Sequence, residues 1–352
     1  MIKTKLHLAR LYRAKLEEGR KGLLHLDMNE GIPGLPDTFL KKIFSGVDPG
    51  SLSTYPEYKL LQKKVAEHSN LKPGNICLTN GSDAAIKYIF DAYVSKGDRV
   101  LLTNPTFAMY PVYCQMFEAK PVILDYKNDM SFPVKEFMNV LSRDIRLAVV
   151  VNPNNPTGSV LEKGDLIEII KKAANNDVLI VVDEAYFYFY PHSVIEKVKI
   201  YPNLIVLRTF SKLLGMAALR LGYAAASNKI IEYLRKVKPT FDVNGLAVLV
   251  GQKLLDNPAV INDLIKDAHE GKQYLAQKLD IEAIEYLRGH ANFILIKCGK
   301  RVDEIINSLA KDGILVNGRF RQGFLNDYIR VTIGNKAYMQ RFWQTFIKIW
   351  RR

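Results

Sequence analysis

The sequence predicts an α/β protein: a large domain on a mostly parallel sheet, followed by a smaller α+β domain. Three observations carry that expectation. Strand-like and helix-like segments alternate from residue 60 to residue 208, the pattern of a parallel sheet covered by helices on both faces. Two of the strand-like segments, Arg146–Val151 and Val178–Val182, are almost unbroken apolar runs, as strands buried on both sides are. Beyond Pro239 the order changes to long helices and then short strands. A chain of 352 residues is long enough for one large core and a second, smaller one.

The elements follow in order. The first 20 residues place Leu6, Leu8, Leu11 and Leu16 among charges and read as a helix or arm. Gly31–Pro36 is irregular, because glycine and proline both punctuate regular structure. Leu60–Ser69 has helical spacing, Ile76–Thr79 is a short strand and Asp83–Val94 a helix. Arg99–Thr103, Lys120–Leu124 and Arg146–Val151 are strands, and Leu161–Asn175 is a helix. Val178–Val182 and Leu204–Arg208 are further buried strands. Leu246–Leu255 and Asn262–Leu279 read as long helices, and Phe293–Lys297, Ile314–Val316 and Tyr328–Ile333 as strands of the smaller domain. The chain has no internal repeat and no low-complexity tract.

Composition narrows the function classes. A hydrophobic fraction of 48% with 24% charged residues is that of a globular protein in water. No apolar run is long enough to cross a bilayer, and the first 21 residues lack the apolar centre of a secretory signal. Cys77, Cys114 and Cys298 are too far apart for a disulfide framework or a zinc site, so a reducing cytoplasm is expected. The net charge is +14, but the lysines come in pairs among acids (Lys41-Lys42, Lys63-Lys64, Lys171-Lys172). That is a solvated surface rather than a nucleic-acid patch, with an overall field that favours anionic substrates.

Four polar clusters directly follow predicted strands, at the edge where open α/β sheets bind ligands. Thr79-Asn80-Gly81-Ser82-Asp83-Ala84 turns a strand into a helix. Gly81 permits close backbone approach, and the first helix amides form a cradle for phosphate, although alone the segment reads as a simple N-cap. Asn152-Pro153-Asn154-Asn155-Pro156-Thr157-Gly158 has its backbone fixed by two prolines and a glycine and offers three asparagine side chains as donors. Asp183-Glu184-Ala185-Tyr186 ends a buried strand in two carboxylates and a phenol. A buried carboxylate needs a partner, either a metal, for which no histidine is near, or a protonated ring nitrogen. Arg208-Thr209-Phe210-Ser211-Lys212 follows the next strand, with Arg220-Leu221-Gly222-Tyr223 downstream. A lone lysine there is ordinarily a surface residue. Here it shares a sheet edge with the other three clusters.

These motifs, with Pro105-Thr106-Phe107-Ala108-Met109-Tyr110 between the first and second, resemble in order those of fold-type I pyridoxal 5'-phosphate (PLP) aminotransferases. Within that family the sequence is most similar to histidinol-phosphate aminotransferases, from about Asn29 to Gly334. The resemblance implies the PLP-transferase fold with a mostly parallel seven-stranded sheet. It implies an N-terminal arm and lid (1–45), a large PLP-binding domain (46–240) and a small C-terminal domain (241–352). It implies PLP held as a Schiff base by Lys212, whose amine then shuttles a proton. Asp183 matches the acid that keeps the pyridine nitrogen protonated. Tyr186 and Asn155 match the groups on the ring hydroxyl, and Phe107 the aromatic stacked on the ring. Gly81, Ser82, Asp83, Ser211 and Arg220 match the phosphate shell. Tyr55, in Ser53-Thr54-Tyr55-Pro56, resembles a tyrosine lent by a neighbouring subunit, which implies a homodimer with shared active sites. Arg330 resembles the substrate arginine, whose planar fork suits a carboxylate or phosphate. Asn29, in the lid, and Arg319 stand in segments that face the substrate. Tyr110 and Asn292 are further candidates for the pocket wall. No metal, nucleic acid or membrane partner is implied.

Two segments depart from the family pattern. The lid reads Asp27-Met28-Asn29-Glu30-Gly31-Ile32-Pro33-Gly34, and Gly313-Ile314-Leu315-Val316 leads to Asn317, with Arg319 and Arg321 displaced. The expected activity is amino transfer on a small phosphorylated amine or its keto partner in amino-acid biosynthesis. Histidinol phosphate leads, with glutamate and 2-oxoglutarate as the second pair. The departures leave open decarboxylation of a phosphorylated amino acid such as phosphothreonine or phosphoserine, and amination of a phosphorylated ketone for surface sugars. The intact Lys212, Asp183, Asn155 and Tyr186 speak against a non-catalytic protein that has merely kept the fold.

Overall fold

The computed structural model describes residues 7–8, 11, 19–320 and 323–352. The N-terminal helix or arm expected around Leu6 and Leu16 lies outside them, as does Arg321.

The first strand, β1 (Leu24–Leu26), belongs to the smaller unit. The next seven build one sheet: β2 (Ile76–Asn80), β3 (Arg99–Asn104), β4 (Lys120–Asp125), β5 (Ile145–Val151), β6 (Leu179–Asp183), β7 (Leu204–Thr209) and β8 (Leu221–Ala226). Their order is β2-β8-β7-β6-β5-β3-β4. Strands β3 to β7 run parallel, and β8 runs antiparallel to both β7 and β2. Alternate residues feed different cores: Ile180, Val182 and Val206 join one face, Val181, Ile205 and Leu207 the other. Each such buried side chain contributes about 1.5–3 kcal/mol, so the sheet's centre is the rigid part of the molecule.

Strand β8 is absent from the sequence expectation. Leu-Gly-Tyr-Ala-Ala-Ala has neither alternation nor β-branched side chains, yet all six residues are buried. Their small size lets the helix Gly81–Tyr93 pack directly across the strand.

The smaller unit holds β9 (Tyr286–Leu287), β10 (Phe293–Lys297), β11 (Ile314–Val316) and β12 (Tyr328–Thr332). Strands β12-β10-β9 form an antiparallel sheet, and β11 pairs in parallel with β1. Helices Val302–Lys311 and Lys336–Trp350, also unpredicted, add Ile305, Leu309, Phe342 and Phe346 to its core.

The expected division at 240/241 falls ahead of the change in packing. Helix Gly245–Leu255 puts Ala247, Val250 and Leu254 into the large core. Helix Pro258–Ile281 then gives Ile261 and Leu264 to that core and Leu275 and Leu279 to the small one. Pro239 follows the end of the helix Asn228–Val237 rather than ending a domain. At the other end, β1 joins the small unit while helix Asp37–Phe44 packs Phe39 and Ile43 on the large one. Residues 27–36 therefore bridge the two. Among the described residues no helix is long and apolar enough to cross a membrane.

Candidate active site

Strands β2, β5, β6 and β7 point the same way, so the segments after them meet at one edge of the sheet. The helix after β2 begins at Gly81, two residues earlier than expected, and Asn80 gives it no side-chain cap. Its first amides stay open to an anion. Gly81 has φ +75°, and a Cβ there would stand 2.5 Å from Nη2 of Arg220. The guanidinium thus lies over bare backbone. Arg220 Nη1 donates to Ser211 Oγ at 3.3 Å and to the Ala217 carbonyl at 3.1 Å. The Gly81 backbone, a serine and an arginine therefore stand together, a combination that suits an anion. The Tyr113 hydroxyl donates to the Asp83 carboxylate (3.1 Å) and reaches its backbone carbonyl (3.3 Å).

Asp183 ends β6 and is buried. Tyr110 donates its hydroxyl proton to Oδ2 at 2.9 Å, and the Ala185 amide donates to Oδ1 at 3.1 Å. Burial pushes this carboxyl up to about 6, against the pull of these donors and of the Lys212 charge. An acid so placed, with only neutral hydrogen-bond donors, is ready for a cationic partner. Lys212 follows β7. Its Nζ donates to the Met28 carbonyl at 3.1 Å and stands 5.9 Å from the Tyr186 ring centre. Burial, reinforced by the Arg330 charge, lowers the amine to about 8. A primary amine that sheds its proton near neutrality is a nucleophile.

Arg330, on β12, is buried. Nη1 donates to Asn155 Oδ1 at 2.6 Å, Nη2 to the Asp27 carbonyl at 2.7 Å, and among the described residues Nε has no partner. Its Cζ lies 5.3 Å from the Phe293 ring centre. With Oδ1 of Asn155 taken, that amide presents Nδ2 as a donor. Tyr186 accepts from Asn29 Nδ2 at 2.9 Å, which frees its own hydroxyl proton for another acceptor. Phe107 is half-buried and packs edge-on to Tyr110, ring centres 6.3 Å apart.

The sequence profile described as "Aminotransferase class I and II" matches residues 35–346. The chain belongs to the class I and II aminotransferases. A curated histidinol-phosphate aminotransferase of Thermoanaerobacter pseudethanolicus is 35% identical over 314 residues, 88% of each chain. The fold matches a Sinorhizobium meliloti histidinol-phosphate aminotransferase solved with pyridoxal-5'-phosphate, with a TM-score of 0.84 and 22% identity over 93% of this chain and 91% of that one. It also matches L-threonine-O-3-phosphate decarboxylase from Porphyromonas gingivalis, with a TM-score of 0.78 and 21% identity over 94% of this chain and 100% of that one. Aminotransferases of this family are PLP enzymes. The open helix end at Gly81, the buried Asp183 and the Lys212 amine are complementary to that cofactor's phosphate, ring nitrogen and aldehyde.

Not every expected residue of this aminotransferase joins the cluster. The structure does not bring Arg319 to it: φ is +58°, and the guanidinium is held by Asp303 and by Asn307 Oδ1 (2.9 Å) at the small unit's surface. The acidic first turn of helix Val302–Lys311 attracts it there. Asn29, expected at the substrate, is buried in a network instead. Besides the bond to Tyr186, its backbone amide donates to Thr332 Oγ1 (3.0 Å), and its carbonyl accepts from Asn292 Nδ2 (2.9 Å). Only Asn155 of the three turn asparagines faces the site. Asn152 accepts from the Leu161 amide, and Asn154 donates to the Pro105 carbonyl and Thr157. Glu184 and Arg208 form a buried ion pair at 2.9 Å, away from Asp183 and Lys212, because neighbouring residues at a strand end face opposite sides. Tyr55 is 75% exposed, stacked on Phe241 outside this chain's own cluster. Sequence reasoning missed the Tyr110–Asp183 bond. Its signal was the spacing of Phe107 and Tyr110, one helical turn apart.

Proposed function

We propose that the protein is a PLP-dependent aminotransferase of the histidinol-phosphate kind, working with glutamate and 2-oxoglutarate as its second pair. The observation that carries this reading is the pairing of Lys212 and Arg330. A low-pKa amine lies within electrostatic reach of a buried guanidinium, which suits a substrate that is both an amine and an anion. The identity to curated histidinol-phosphate aminotransferases over 88% of the chain supports phosphate as that anion.

When bound, PLP supplies an aldehyde for a primary amine and a ring that accepts electrons from the carbon beside it. Lys212 Nζ would take the proton from the substrate carbon and return it. The Asp183 carboxylate would keep the ring nitrogen protonated. Asn155 Nδ2 and the Tyr186 hydroxyl would donate to the ring oxygen, with Phe107 as the aromatic beside the ring. The Gly81, Ser82 and Asp83 amides, with Ser211 and Arg220, would hold the cofactor phosphate. Arg330 orients the substrate anion. The exposed Tyr55, with Leu52 and Phe241 also exposed, supports a homodimer in which Tyr55 reaches the partner's phosphate. A cytoplasmic role in amino-acid biosynthesis fits this chemistry.

The decisive assay mixes histidinol phosphate, 2-oxoglutarate and the holoenzyme and follows glutamate. Parallel tubes follow CO₂ from phosphothreonine and phosphoserine. Glutamate formation without CO₂ is expected; CO₂ release as the main reaction would replace this reading with decarboxylation. That rival loses support because Arg319, one of the groups it leaned on, is engaged by Asp303 and Asn307.

A further inference from the structure

We propose that Tyr110 is a positioning residue that keeps Asp183 ionised and aimed before the cofactor arrives; this rests on the PLP reading above. Tyr110 is 1% exposed and among the largest fully buried side chains. It stands in the first turn of helix Met109–Met116, and its amide closes a turn on the Phe107 carbonyl at 3.1 Å. One turn therefore delivers both the ring-face aromatic and a donor to the acid behind it.

A buried carboxyl left to itself keeps its proton, because burial disfavours the charge. Here the Tyr110 hydroxyl donates to Oδ2 and the Ala185 amide to Oδ1, and both bonds favour the anion. Neither donor carries charge. The negative charge is held in place but not neutralised, and each oxygen keeps lone pairs for a further partner. The charged groups acting on the pair are Lys212, Glu184 and Asp83. Glu184 is spent on Arg208, and Lys212 donates to Met28. A cationic ring nitrogen is what the arrangement lacks. A tyrosine serving only the core would not be bonded to an acid this reluctant to ionise.

The test is a double-mutant cycle of Tyr110→Phe and Asp183→Asn, read as the PLP dissociation constant of the apoprotein across pH, with a thermal melt of each apoprotein as a fold check. Phenylalanine keeps the ring and its packing. Loss of the hydroxyl donor lets the acid hold its proton more tightly, which predicts about tenfold weaker PLP binding in Tyr110→Phe below about pH 6, shrinking to about twofold at pH 7. The pH below which affinity falls should also move upward by about one unit, since the acid holds its proton harder. In the Asp183→Asn background the same tyrosine change should have less than about a twofold effect. Unaltered affinity and pH profile in Tyr110→Phe, or an equal loss in both backgrounds, would overturn the proposal while leaving the PLP reading standing. Unaltered affinity in Asp183→Asn alone would remove the PLP reading, and this inference with it.

Discussion

The amine of Lys212 is the residue on which the chemistry turns. With a pKa of about 8 instead of 10.5, about a tenth of it is neutral at pH 7, against about three parts in ten thousand for an ordinary lysine. Capture of PLP by the apoprotein should therefore accelerate from pH 6 and level off above about pH 8–9. A stopped-flow trace that kept steepening to pH 10 would mean the amine is unperturbed. Lys212→Ala should lose the yellow absorbance and all turnover yet melt like the parent. Most of the residues around it were legible because each carries a motif in a fixed order: Gly81, Asn155, Asp183, Tyr186 and Arg220. Arg319 misled because a sequence shows that a guanidinium is nearby in the chain, not which acid it will find; Asp303 claimed it.

Elements place these residues, and β8 is the clearest case. Gly222 on β8 sits against the start of the helix Gly81–Tyr93, where a Cβ would stand 2.5 Å from the Ser82 amide nitrogen and 2.6 Å from the Gly81 carbonyl carbon. Overpacking of this kind costs about 1–3 kcal/mol and is relieved only by moving backbone. Gly222 is not itself an expected ligand, yet Gly222→Ala should weaken PLP binding at least tenfold by pushing the phosphate cradle outward. Equilibrium titration that gave the parent's affinity would show the cradle to be more compliant than it looks. The parallel strands were readable as long apolar runs, and helices such as Leu161–Asn175 by their period. Strand β8 was not, since alanine and glycine pack a crowded interior without leaving a pattern. The helix Lys336–Trp350 is harder to read, because its apolar stripe, Met339, Phe342, Phe346 and Ile349, is crowded by Tyr338, Trp343 and Trp350 beside it.

At the scale of the whole molecule, the fold class was plain from alternation alone, but the seam between units was not. It runs along a single helix, Pro258–Ile281, whose two ends serve different cores, and no composition change marks such a point. The shared-site dimer also belongs to this scale. Equal amounts of Lys212→Ala and Tyr55→Phe chains, unfolded and refolded together, should regain activity at limiting PLP. Random pairing leaves about a quarter of the sites with both residues intact. A mixture no better than its parts would mean that Tyr55 serves its own chain or no site at all.

The two units touch through naked main chain beside the catalytic edge. Gly158 of the asparagine-rich turn and Gly289 of the loop before β10 are so close that a Cβ on either would stand 3.0–3.2 Å from the other's Cα, and the His290 amide donates to the Gly158 carbonyl at 2.7 Å. Even one methyl group at that joint would work as a doorstop. It would hold Phe293, and the guanidinium resting over it, ajar from Asn155, so the substrate's anchor would drift while every chemical group remained in the chain.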